Sequence, residues 1–140
     1  MSKLGLKDIS DAMRQVDICM LTTHGGGLES RPMSNNRDVD YDGDSYFFTE
    51  EKAELVGDIQ AQPQVNLAYT HTPMLGKSLY ISVSGTADVV RDRAQMAKHW
   101  VPDLDAWFKD GVDTPGLAMV HVKADRVKYW QGEDHGEVKV

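Results

Sequence analysis

The chain has 140 residues, 41% of them apolar, and a formal net charge of −7. That length suits one domain, spanning 1–140, with a core that needs neither disulfides nor a structural metal. Basic residues scattered among acids exclude a nucleic-acid surface, and the absence of a long unbroken apolar run excludes a membrane-spanning helix. No basic-then-apolar leader occupies Met1 to Leu6. The lone Cys19 sits among Ile18, Met20 and Leu21, so it reads as a small core residue, and the cytoplasm is the expected compartment.

In chain order, Ile9, Met13 and Val16 fall at helical spacing, predicting a lead helix over about 7–17. Ile18 to Thr23 and Leu28 to Asn36 read as the arms of a hairpin turning at Gly25-Gly26-Gly27. The returning arm carries Arg31-Pro32-Met33. A proline cannot donate to a strand ladder, so this arm is an edge with unpaired backbone. Ser45 to Thr49 is a short strand whose consecutive Tyr46, Phe47 and Phe48 imply burial on both faces. Thr49 is expected to open a helix with the stripe Leu55, Val56 and Ile59, stopped by Pro63.

Val65 to Tyr69 alternates as a strand, and Leu79 to Val90 is the longest strand, with Gly85 marking a bend or bulge where a barrel curls. Asp92 to Phe108 is helical in two pieces split at Pro102, with Trp100 and Trp107 on one face. Leu117 to Val122 and Val127 to Trp130 read as two strands joined by a tight turn, and the polar tail over about 131–140 as frayed. About seven short, largely antiparallel strands with helices between them make a mainly β, α+β small barrel.

The five histidines are far apart, with no HxxxH and no cysteine pair, so no metal site is predicted. No GxSxG elbow supports a nucleophilic serine, and the glycine triplet suits a hairpin turn better than a phosphate loop. What remains is Arg31 with a strand-to-helix junction at Thr49, which outlines an anion site. Met33, Phe47, Phe48, Trp100, Trp107 and Phe108 fit two readings, a slot for a planar ring or a plain core stripe. Glu50 and Glu51, read as the first turn of the helix, oppose an anion there.

Several ordered blocks sharpen this: Ile18-Cys19-Met20-Leu21-Thr22-Thr23, Ser30-Arg31-Pro32-Met33, Phe47-Phe48-Thr49, Val65-Asn66-Leu67-Ala68-Tyr69 and Val83-Ser84-Gly85-Thr86-Ala87. With Trp100, Trp107-Phe108 and Tyr129-Trp130, the chain from Asp8 to Trp130 resembles the general stress protein 26-like branch of the pyridoxamine 5′-phosphate oxidase-like, FMN-binding split-barrel proteins. The resemblance implies a six-stranded antiparallel split β-barrel, a homodimer, and one FMN at each end of the dimer interface. It assigns the FMN phosphate to Arg31, the isoalloxazine edge to backbone around Pro32 and Met33, and the flavin and ribityl chain to Phe48 and Thr49. Trp100, Trp107 and Phe108 match an aromatic segment that approaches the flavin from the other subunit.

One position departs from the pattern. The family's Ser-x-Lys, whose lysine also binds phosphate, aligns here with Ala53, Glu54 and Leu55, leaving Lys52 as the nearest substitute. One lost charge-assisted contact costs about 1.5–3 kcal/mol, or about tenfold to a hundredfold in affinity. FAD in place of FMN is an open alternative at this end.

Three functions follow from the resemblance: a stress-related, FMN-dependent oxidoreductase with an unidentified small-molecule electron donor or acceptor; a flavin-binding or flavin-sequestering dimer without turnover; or a split barrel that has exchanged flavin for another anionic ligand. Pyridoxamine 5′-phosphate oxidation itself is disfavoured, since only His135 and Lys139 supply basic groups in the C-terminal tail.

Overall fold

A computed structural model describes residues 3–37 and 39–140. Met1 and Ser2, which belong to the segment read for a leader, lie outside the described residues. Helix α1 (Leu6–Met13) leads into β1 (Ile18–Thr23), β2 (Glu29–Ser34) and β3 (Asp44–Glu50). Helix α2 (Glu54–Ala61) follows, then β4 (Gln64–His71), β5 (Leu79–Val90), helix α3 (Arg93–Lys98), β6 (Leu117–Gln131) and β7 (Asp134–Val138). The strands form one antiparallel sheet in the order β2-β1-β4-β5-β6-β3, with β7 added to β6. Six strands thus make the continuous path expected of a split barrel. The seventh lies beside it, and β2 and β3 stand as unjoined edges, so the sheet does not close.

Period-two alternation builds the core. Cys19 and Leu21 of β1, Leu67 and Tyr69 of β4, Ile81 and Val83 of β5 and Val120 and Val122 of β6 are buried on one face. Ile9, Ala12 and Met13 of α1 join the same cluster, as do Leu55 and Ile59 of α2. Val16 is buried as its spacing predicts. Each fully buried aliphatic side chain contributes about 1.5–3 kcal/mol. Cys19 is core, and burial pushes its thiol pKa up to about 12, which removes the thiolate needed for chemistry.

Several sequence expectations change. Thr49 lies inside β3, paired with Ala118, and α2 begins only at Glu54 after a turn. Glu50 closes the strand and Glu51 pairs with Arg91 (2.6 Å), so neither sits in the helix's first turn. The expected strands Leu117 to Val122 and Val127 to Trp130 are one continuous β6, because the residues between them form a bulge within the ladder rather than a reversal. The tail does not fray: Glu137 and Val138 pair with Lys128 and Val127, and Val138 is buried.

The bulge falls where Gly85 predicts it. Ser84 pairs with Arg126 and Gly85 with Ala124, so Asp125 is the extra residue, and a Cβ on Gly85 would overlap the Lys123 carbonyl oxygen. Trp100 and Trp107 also part company. The chain after α3 breaks before a 3-10 turn at Pro102–Ala106, leaving Trp100 packed inward and Trp107 72% exposed.

A small second cluster holds α3 to the sheet. Tyr46 stacks against His99 (centroids 3.6 Å) and His121 (4.7 Å), while His121 Nε2 lies 2.9 Å from Asp44 Oδ1. Phe48 packs edge-on to Trp100 at 4.9 Å, and Trp100 donates from Nε1 to Asp105 Oδ1 at 3.0 Å. Burial, reinforced by Lys98 and His121, holds the His99 pKa below its ordinary value of 6.5.

Gly85→Ala is expected to destabilise the fold by about 1–3 kcal/mol through that overlap, read as a lowered melting temperature. His99 supplies a pH dependence. Because the unfolded chain binds its proton more readily, its stabilising contribution is complete above about 6.5 and fades as pH falls through the lower folded value. Melting temperatures measured between about pH 7 and about pH 5 should fall toward acid, and less steeply in His99→Gln.

Candidate functional site

The two unjoined sheet edges meet across a cleft of about 490 Å³. Pro32, Met33 and Ser34 of β2 form one wall, Phe48, Thr49 and Glu50 of β3 the other, with Leu104, Trp107 and Phe108 above. Pro32 is exposed on a true edge strand, as its missing N–H demands. A second cavity of about 420 Å³ adjoins the first, sharing Ile18, Ser34, Phe48, Leu104 and Trp107 and adding the more polar Asn35, Arg37 and His99.

Six of the nine residues singled out from sequence, Pro32, Met33, Phe48, Thr49, Trp107 and Phe108, therefore line one space. Trp100 stands behind it, buttressing Phe48 and Phe108 (4.9 and 5.8 Å). Trp107 and Phe108 face the cleft of their own chain. Lys52 is exposed in the turn before α2 and lines neither cavity. Ile18, Ser34, Glu50 and Leu104 also line it and were not singled out as ligand contacts from the sequence, where Glu50 was read only as opposing an anion. Ser34 was the most legible of them, two residues beyond Pro32 and so on the same face of β2.

Arg31 lies elsewhere. Successive strand side chains point to opposite faces, so Arg31 leaves β2 on the side away from Pro32 and runs to α2. Its Nη2 donates to Asp58 Oδ2 (3.1 Å) and to the buried Thr23 Oγ1 (3.1 Å), and lies 3.4 Å from Glu29 Oε1. Thr23 Oγ1 in turn donates to Asp58 Oδ2 at 3.3 Å. The Arg31 and Asp58 side chains are only 15% and 13% exposed, making this an internal ion pair rather than a surface one. Arg31 Nη1 is buried and has no acceptor among the described residues. Leu55, aligned with the family lysine, is a core residue.

A flavin therefore fits unevenly. The apolar, aromatic cleft between the edges suits a planar ring, with unpaired edge backbone available for its polar rim. Arg31, to which the resemblance assigns the phosphate, lines neither cavity and is already balanced by a carboxylate, with one donor unused.

The pyridoxamine 5′-phosphate oxidase like family model matches residues 5–140. Protein bli-3 of Neurospora crassa is 28% identical over 135 residues, covering 89% of this chain; the chain spans 63% of that relative's length. The crystal structure of the general stress FMN/FAD binding protein of Xanthomonas citri is 26% identical, with a TM-score of 0.76 over 92% of this chain and 89% of that one. A protein related to general stress protein 26, from Clostridium acetobutylicum, is 17% identical with a TM-score of 0.80 over 96% and 94% of the two chains, a likeness of fold alone. An open antiparallel sheet matching those structures, with the family's sequence pattern across nearly its whole length, places this chain in the pyridoxamine 5′-phosphate oxidase-like family.

Proposed function

We propose that this chain is a stress-related flavin-binding protein that holds the isoalloxazine ring in the cleft between β2 and β3. The convergence of Pro32, Met33, Phe48, Thr49, Trp107 and Phe108 on one space carries the reading. The Xanthomonas citri relative, an FMN/FAD binding protein, supports it from outside the chain. FMN is the flavin the family pattern favours, with FAD the alternative. In such a site the aromatic walls hold the ring, Leu104 and Trp107 restrict water, and edge backbone selects the ring's orientation. Bound flavin supplies hydride or electron transfer, while the protein supplies position and polarity.

A second reading, an oxidoreductase with turnover, draws on the adjoining cavity. It opens beside the ring's place, and Asn35, Arg37 and His99 give it the polar lining a small electron donor or acceptor needs. We further propose a homodimer in the cytoplasm. Ile18, Met20, Tyr80 and Trp130 stand 38–50% exposed on the sheet's outer face, an apolar surface suited to a second copy. No helix among the described residues is long and apolar enough to cross a membrane.

Titration of apo-protein with flavin should quench flavin fluorescence and raise the melting temperature; a flat titration with no thermal shift refutes the flavin reading. Trp107→Ala, at an exposed position, is expected to weaken flavin binding about threefold to tenfold without lowering the melting temperature. Light scattering should give twice the monomer mass. Bleaching of bound flavin by NADH or NADPH, followed by reoxidation with an added acceptor, distinguishes an oxidoreductase from a carrier.

A further inference from the structure

The cavity beside the flavin cleft has a charged rim and an uncharged wall. Its charged residues, Asp17, Arg37 and Asp103, are all exposed, where water and salt screen them. The half-buried wall includes Tyr46, Phe48 and Leu104, with Asn35, Asn36 and His99 as polar members. Two of those three are already engaged. The Asn35 amide nitrogen donates to the Met13 and Val16 carbonyl oxygens, both at 2.8 Å, and Asn36 has a partner of its own.

His99 is held but unspent. Its ring lies flat on Tyr46 (centroids 3.6 Å, 13° between planes), Tyr46 lies on His121 (4.7 Å, 14°), and His121 Nε2 reaches Asp44 Oδ1 at 2.9 Å. The stack fixes the plane of His99, yet neither ring nitrogen has a hydrogen-bond partner among the described residues. Burial and the neighbouring Lys98 charge hold its pKa below 6.5, so at neutral pH one nitrogen donates and the other accepts. An oriented, uncharged donor in an aromatic wall suits a carbonyl oxygen. It gives a carboxylate or phosphate no charge to pair with.

We propose that this cavity is the site of an uncharged aromatic carbonyl compound, and that His99 donates the hydrogen bond that orients its carbonyl oxygen. A volume of about 420 Å³ is at the small end for ligand sites, which limits the compound to one or two rings. Ile18, Ser34, Phe48, Leu104 and Trp107 line both this cavity and the cleft, so the ligand lies beside the flavin ring's place, where a second redox substrate has to sit. Its role as a second substrate rests on the flavin reading above; occupancy of the site does not.

The test is histidine-ring NMR on flavin-free protein, titrated with coumarin, a neutral two-ring carbonyl compound, and with the anionic coumarin-3-carboxylate. Coumarin should shift the His99 ring resonances, assigned through their contact with Tyr46, and bind at least about tenfold tighter than the carboxylate. His99→Phe keeps an aromatic ring on Tyr46 and removes both nitrogens, so it should weaken coumarin about threefold to tenfold with little change in melting temperature. Carboxylate binding as tight as coumarin's assigns the site to Arg37 and overturns the inference. Unchanged coumarin affinity in His99→Phe, or His99 resonances unmoved at saturation, overturns it as well. If the variant does not fold, the His99 shift and the coumarin-to-carboxylate ratio decide without it. Competition between coumarin and FMN places coumarin in the cleft and also sinks the proposal. Coumarin bound at His99 in a protein that takes no flavin removes the flavin reading and leaves the carbonyl site standing.

Discussion

Strand β6 is the constraint on which the rest of the molecule depends. Along one side twelve of its fifteen residues pair with β5; along the other, its first half pairs with β3 and its second half with β7. Between the halves, Asp125 is squeezed out of register against Gly85, and a bulge there bends and further twists the strand. The sheet curls at that point, which brings β3, one end of the hydrogen-bonded path, to face β2, the other end, without joining it. Two unjoined edges facing each other leave backbone donors and acceptors with no strand to satisfy them. The cleft exists because the sheet curls without closing.

That seam has two chemically different neighbourhoods. Between the edges, aromatic and aliphatic side chains from β2, β3 and the 3-10 segment make an apolar slot with polar backbone at its rim. Behind β2, under the glycine turn, Arg31, Asp58 and Thr23 form an internal ionic knot. Breaking such a knot from one side leaves a buried charge uncompensated at a cost of about 3–5 kcal/mol, so the pair holds its own geometry whatever the slot contains.

Much of this was legible in the sequence. Strict alternation in β4 and β5 gave their buried faces, Pro32 marked an edge, Gly85 marked the bulge, and the ordered blocks gave the family and most of the slot. What escaped has identifiable causes. The stretch Lys123 to Arg126 looks like a turn because it is polar, but polarity follows equally from a bulge facing solvent, and one sequence cannot separate the two. The tail lacks apolar alternation, so β7 is specified by pairing with β6 and by the single buried Val138 rather than by its own pattern. Thr49 resembles a helix opener by its neighbours alone; its pairing with Ala118 is a contact between distant segments. Asp58 could not be found at all, because its partner Arg31 is 27 residues away and no local spacing joins them.

The central claim is that the seam between β2 and β3 holds a flavin ring. A crystal structure of the protein grown with FMN tests it most directly. The account predicts the ring lying between Pro32–Ser34 and Phe48–Glu50, beneath Trp107, with the Arg31–Asp58 pair intact. A ring bound elsewhere, or a seam that remains empty at saturating flavin, would contradict it.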